Sequence, residues 1–183
     1  NASAGHLKTN YRFTVPTKNP EHVETVIKII ADISHKLTLE PEAFERERKI
    51  VEEEWRKQYG NNKRYFEEIK QYLYKNSIFL NRDPIGKIDV IQNFKYQDVI
   101  DYYQKWYQPE LMSVFVIGDI DTDNIENLIK KYFNDIKNTP VKLPDYKIPN
   151  YTEKQFFTFQ DDEQTNISFS IFEKNKFNKI DTF

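Results

Sequence analysis

The sequence predicts an α+β fold, and three observations carry the prediction. Amphipathic helical patterns occupy most of the chain, strand-like segments are few, and the two do not alternate in the regular βαβ order of a doubly wound sheet. Leu7 to Pro16 is rich in β-formers and sets Tyr11, Phe13 and Val15 on one face, so it reads as a strand. Asn19-Pro20 then supplies an N-cap and a first-turn proline. Val23, Val26, Ile27, Ile30, Ala31 and Ser34 follow at helical spacing up to about His35. Pro41 opens a second helix that runs to about Tyr59, and Gly60-Asn61-Asn62 breaks it before a third from about Lys63 to Tyr74. Residues 76–93 read as irregular, with Asp83-Pro84 and Gly86 as turn signals. Lys95 to Trp106 reads as a helix closed before Pro109. Leu111 to Ile117 is a continuous apolar run bounded by Gly118-Asp119, the pattern of a central strand covered on both faces. Asp121 or Thr122 caps a last helix from about Asp123 to Ile136. Pro140, Pro144 and Pro149 mark 139–150 as a linker, and Gln155–Phe159 and Ile167–Phe172 alternate as two strands of a new unit.

Bulk properties narrow the function classes. The 183 residues suit one domain, or one and part of a second. A net charge of -2 gives no field that draws the chain to nucleic acid or an anionic membrane. The absence of cysteine excludes thiolate zinc sites, cysteine nucleophiles and disulfides, and leaves the compartment open. No apolar run approaches the roughly 20 residues of a membrane span. The chain opens on Asn1, its single methionine is Met112, and it closes on Phe183 directly after strand-like sequence. Both ends are therefore expected to be cut from a longer translated protein.

The second helix carries the most chemistry. Phe44, Val51 and Trp55 define an apolar stripe. Glu47 and Glu54, seven residues apart, project within about 20° of each other on its edge. Glu45–Lys49, Glu52–Arg56 and Glu53–Lys57 have the spacing of solvent-exposed ion pairs. Glu47 lacks such a partner, because its neighbours at i+3 and i+4 are Ile50 and Val51. A carboxylate at a core edge calls for neutralisation, which a metal or a metal-bound histidine would provide. The alternative is that both glutamates turn to water, with Lys57 reaching Glu54. Histidine spacing does not complete a metal site: Lys18-Asn19-Pro20-Glu21-His22 matches H-x-x-E-H only superficially, with Lys18 at a ligand position and Pro20 inside the motif. His35 closes a helix, where positive charge is favoured, and His6 stands alone. Asp161-Asp162-Glu163 lacks calcium-loop spacing. Tyr102, Tyr103, Trp106 and Tyr107 lack the interleaved basic groove of a nucleic-acid platform.

Phe44 to Arg56 (FERERKIVEEEWR) resembles the signature that follows H-x-x-E-H in the insulinase/pitrilysin family of zinc metallopeptidases. Further landmarks occur in the family's order. Asn1-Ala2 with Thr9, Tyr11 and Phe13-Thr14-Val15-Pro16 resembles the strand after the zinc helix. Asp83-Pro84-Ile85-Gly86, then Asp101-Tyr102-Tyr103 with Trp106-Tyr107 and Pro109, then Val116-Ile117-Gly118-Asp119 follow. The resemblance implies a metallopeptidase half-domain, an antiparallel or mixed sheet covered by helices. Residues 1–138 would be the C-terminal portion of the peptidase domain, 139–150 the linker, and 151–183 the first strands of a second, structurally similar domain. It also implies that Glu54 is a zinc ligand, that Glu47 supports the site, and that Asn1 and Ala2 begin the edge strand that pairs with an unfolded peptide substrate. The two histidines and the general-base glutamate would precede Asn1, so this chain alone is expected to be inactive. The family usually has Thr where Ala4 stands. A non-catalytic partner or structural subunit of the same fold is the alternative.

Overall fold

The computed structural model describes residues 1–58, 61–144 and 157–159. The chain opens with an antiparallel hairpin of β1 (Ala2–Ala4) and β2 (Thr9–Tyr11), in the register Ala2↔Tyr11, Ser3↔Asn10, Ala4↔Thr9. The Gly5 amide donates to the Lys8 carbonyl at 2.8 Å in the turn. Asn1 and Arg12 extend the ladder by exchanging two bonds of 2.8 and 2.9 Å. The strand expected over Leu7–Pro16 is thus a short paired piece, three residues of β2 with Arg12 bonded beyond them, followed by backbone at 13–16 without strand pairing among the described residues.

Among the described residues six α-helices follow. α1 (Pro20–His35) begins as its sequence requires: Asn19 Oδ1 accepts from the Glu21 amide at 3.0 Å, and Pro20 sits where no amide is needed. α2 (Pro41–Lys57) and α3 (Asn61–Leu73) come next. A 3-10 turn at Ile78–Asn81 leads into the Asp83 turn, where the Gly86 amide bonds the Asp83 carbonyl at 2.9 Å. Gly86 holds φ +83, so its glycine is a backbone requirement. α4 (Ile88–Asn93) corrects the irregular reading of 76–93: it is a single short helix held by its Ile91 against the molecule. α5 (Tyr96–Trp106) starts with Asp98 accepting from the Lys95 amide at 2.7 Å, and α6 (Thr122–Phe133) with Asp121 accepting from the Asn124 amide at 3.0 Å.

α1 packs on α6, and α2 on α4. Ile27 and Ala31 of α1 and Ile125 of α6 form the buried seam of the first pair, and Ile91 that of the second. Glu24 clasps the first pair from outside, receiving bonds from Lys131 Nζ at 2.8 Å and the Tyr132 hydroxyl at 2.7 Å. α5 locks the end of α1: the Tyr103 hydroxyl donates to the Ile33 carbonyl at 2.8 Å and accepts from the Leu37 amide at 3.2 Å. The neighbouring Tyr107 hydroxyl meets that of Tyr11 at 2.6 Å, tying β2 to the same corner.

Residues 112–117 correct the expectation of a covered central strand. They carry no strand pairing among the described residues, and the side chains alternate between half-buried Val114 and Val116 and exposed Phe115 and Ile117. Ile117 is 95% exposed and Phe115 66%. The apolar run has strand chemistry, but a strand exists only beside another, and none of the described residues supplies the neighbour. Residues 139–144 have no regular element. Of the two strands expected in the last part, Ile167–Phe172 lies outside the described residues, as do Gln155 and Phe156 of the other; residues 157–159 have no regular element, and Phe157 and Phe159 pack against Tyr65 of α3 at 5.9 and 5.5 Å between ring centroids. No helix of the described residues is long and apolar enough to cross a membrane.

Candidate functional site

α2 presents the acidic pair. Its half-buried stripe is Phe44, Arg48, Val51 and Trp55. Phe44 meets the rings of Phe94 and Tyr96 edge-on at 5.2 and 5.7 Å. Arg48 lies between Phe44 and Phe94, with its guanidinium carbon 4.5 and 4.4 Å from the two ring centroids. It donates to the Ile91 carbonyl and, at 2.6 Å, to the Phe94 carbonyl, capping α4 from below. An arginine therefore does the packing that anchors α2. A count of apolar positions alone misses it, because its aliphatic stem and flat head are buried while its charge is satisfied by backbone.

Glu47 and Glu54 are exposed. The expectation that they sit on a buried edge is corrected: they lie about 80° around the helix from the centre of the stripe, far enough to clear the contact with α4. The ion pairs redistribute as well. Arg56 takes Glu52 at 3.6 Å, as the spacing requires, and also Glu53, while Glu45 takes Arg48 at 3.2 Å in place of Lys49. Neither Glu47 nor Glu54 has a side-chain ion pair or hydrogen bond among the described residues, and Ile50 between them is 50% exposed. The result is an open helical face with two uncommitted carboxylates.

β1 offers the second feature. Asn1 and Ala2–Ala4 are exposed, and β1 pairs with β2 on one side only, so among the described residues its other edge is free. The histidines stay apart. His6 stacks on Phe79 at 5.3 Å and meets Tyr74 edge-on at 5.8 Å. His22 is exposed in the first turn of α1, and His35 places Nδ1 3.2 Å from Ser34 Oγ in its last. Among the described residues no three of His, Asp and Glu gather as a metal site would need. One exposed carboxylate fits a single oxygen ligand, and the rest of a coordination shell would come from elsewhere.

Burial and neighbouring hydroxyls push the Tyr107 phenol up from its ordinary range, and burial does the same for Tyr103. These tyrosines therefore hold their protons, Tyr103 donating to the Ile33 carbonyl and Tyr107 sharing a hydrogen bond with the Tyr11 hydroxyl. The bonds from Lys131 and Tyr132 hold the Glu24 carboxyl below the usual carboxylate range.

Known proteins place this architecture. One family model, described as insulinase (peptidase family M16), matches residues 1–80, and another, described as the peptidase M16 inactive domain, matches residues 93–181. The chain belongs to the insulinase family. Within that family, the PQQL-like zinc protease of Arabidopsis thaliana is 32% identical over 166 residues, which are 89% of this chain and 17% of that protein. The crystal structure of the first half of the periplasmic protease PqqL from Escherichia coli superposes with a TM-score of 0.76 at 28% identity, covering 80% of this chain and 32% of that one. A structure of a mutant of the ferredoxin protease FusC, in complex with Arabidopsis ferredoxin, gives a TM-score of 0.71 at 29% identity over 80% of this chain and 16% of that one. The chain thus spans less than a fifth of the Arabidopsis zinc protease, and these structural neighbours are consistent with the α+β class.

Proposed function

We propose that this chain supplies one zinc ligand and the substrate-pairing strand of a metalloendopeptidase whose site is completed from outside it. The pair Glu47 and Glu54 carries the reading: both lie on α2 at the family's spacing, open to solvent and uncommitted among the described residues. Glu54 would hold zinc, and Glu47, two turns earlier, would orient a neighbouring ligand. Zinc bound there would supply a Lewis acid and a water that ionises near neutral pH. The residues of this chain then have separate tasks. Arg48 fixes the helix, Glu54 binds, and the free edge of β1, from Asn1 and Ala2, pairs with an extended peptide. Such pairing selects unfolded substrates, since a folded segment has already spent its backbone donors and acceptors.

Residues 1–138 would form one unit, 139–150 the linker, and 151–183 the start of a second, similar domain. The packing of α6 on α1 supports joining the two ends of the first unit. Zinc content of the longer protein tests the proposal. Stoichiometric zinc after purification in zinc-containing buffer is expected, and its absence would sink the reading. A non-catalytic subunit is the second reading, favoured by the description of the model matching 93–181 as an inactive domain. An intact H-x-x-E-H in the longer protein decides for the enzyme, a degenerate one for the subunit.

A further inference from the structure

We infer that the pocket beside His6 is a subsite for a tyrosine side chain of the peptide paired with β1. The inference rests on the peptidase reading above and adds the side chain that reading leaves open. The pocket measures about 400 Å³, within the roughly 300–1,000 Å³ of small-ligand sites. It lies at the hairpin-turn end of β1 and at the C-terminal end of α2. His6 follows the last residue of β1 by two positions, and Gln58 stands one helical turn beyond Glu54, about 6 Å along the axis.

Its walls are the rings of Phe66, Tyr74 and Phe79. Its charges already have contacts: Lys70 pairs with Glu67, Asp83 Oδ1 accepts from the Ile85 amide at 3.3 Å, and Lys63 Nζ lies 4.9 Å from the Trp55 ring centroid. Among the described lining residues two cations stand against two anions, so no net charge favours a charged side chain of either sign, whereas an aromatic ring finds apolar walls. His6 and Gln58 remain. His6 lines the pocket, and its Nδ1 is buried without a partner among the described residues. Together with the Gln58 amide, His6 offers a donor and an acceptor to a phenolic hydroxyl. Phenylalanine would fill the walls and leave both unmatched.

The test uses the longer protein and a peptide scanned with Tyr, Phe, Glu and Ala at each position around its scissile bond. Tyrosine at one fixed position is expected to raise kcat/KM about tenfold over alanine and to exceed phenylalanine and glutamate. Gln58→Ala and His6→Phe, checked for fold by circular dichroism, should bring the Tyr:Phe ratio to about one. Gln58→Ala alters an exposed residue and keeps the test valid if His6→Phe misfolds. Hydrolysis with no tyrosine preference, or with the ratio intact in Gln58→Ala, overturns the subsite and leaves the peptidase reading standing. If hydrolysis is absent, fluorescence anisotropy of the same labelled peptides reads the same ratio. Absence of both hydrolysis and binding overturns both.

Discussion

Arg48 occupies the place on α2 where an aliphatic residue would be unremarkable, and its side chain is only 11% exposed. Two backbone carbonyls and two rings hold it, so Arg48→Ala should cost about 3 kcal/mol in urea unfolding. Arg48→Lys should recover little, because an ammonium cannot lie flat between Phe44 and Phe94 while reaching both carbonyls. Tyr103 is the comparable residue at the other corner. Tyr103→Phe strips the Leu37 amide and Ile33 carbonyl of their partner and should cost about 1–2 kcal/mol. Burial raises its folded pKa above the unfolded value of about 10. The proton is therefore held more tightly in the folded state: the contribution is complete below about pH 10 and is lost as pH climbs through the folded value. A stability profile that falls above that point in the parent protein, and less steeply in Tyr103→Phe, is the expected result. At the proposed metal site, Glu54→Gln should abolish zinc retention and hydrolysis by the longer protein. Glu47→Gln should weaken both by about 10–100-fold, the usual effect of losing a supporting residue.

At the scale of elements, the segment after α5 separates chemistry from context. Ile117 touches almost nothing, so Ile117→Thr should leave the melting of this chain within about 0.5 kcal/mol of the parent. In a longer protein that supplied a neighbouring strand, the same change should cost about 1–3 kcal/mol. Equal effects in both would show that the segment stays uncovered. The helices were legible from short-range signals: Asn19-Pro20 and Asp121 announce α1 and α6 by groups that satisfy the first amides, whatever lies elsewhere. α4 was not, because six residues give less than two turns of periodicity and Lys87 provides no side-chain cap. The run 111–117 misled because apolar content signals a strand, while pairing depends on chain far away in sequence. The i,i+7 spacing of Glu47 and Glu54 could be read directly. Their exposure is the alternative the same spacing left open, both turned to water; what the pattern could not show is Arg48 in the stripe, since arginine counts as polar in any pattern.

At the scale of the molecule buried apolar side chains are sparse: among the described residues they are Ile27, Ala31, Ile91 and Ile125. They fall into the α1–α6 and α2–α4 pairs. Ile27→Ala should therefore cost about 3 kcal/mol, and amide exchange should quicken in α1 and α6 before α2 and α4. Uniform loss of protection would mean a single cooperative core instead. The resemblance to far longer relatives gives this thinness a context, since 80% of this chain covers 32% of the first half of PqqL. The unpaired Ser113–Ile117 run then acquires a different meaning for the isolated chain. SVFVI has no charge, no proline and high β-propensity, the composition from which fibrils nucleate. Copies at high concentration could satisfy those idle amides with one another, stacking in register as cross-β. Thioflavin fluorescence that grows with concentration, and vanishes on placing a lysine at Phe115, is the behaviour this segment dictates.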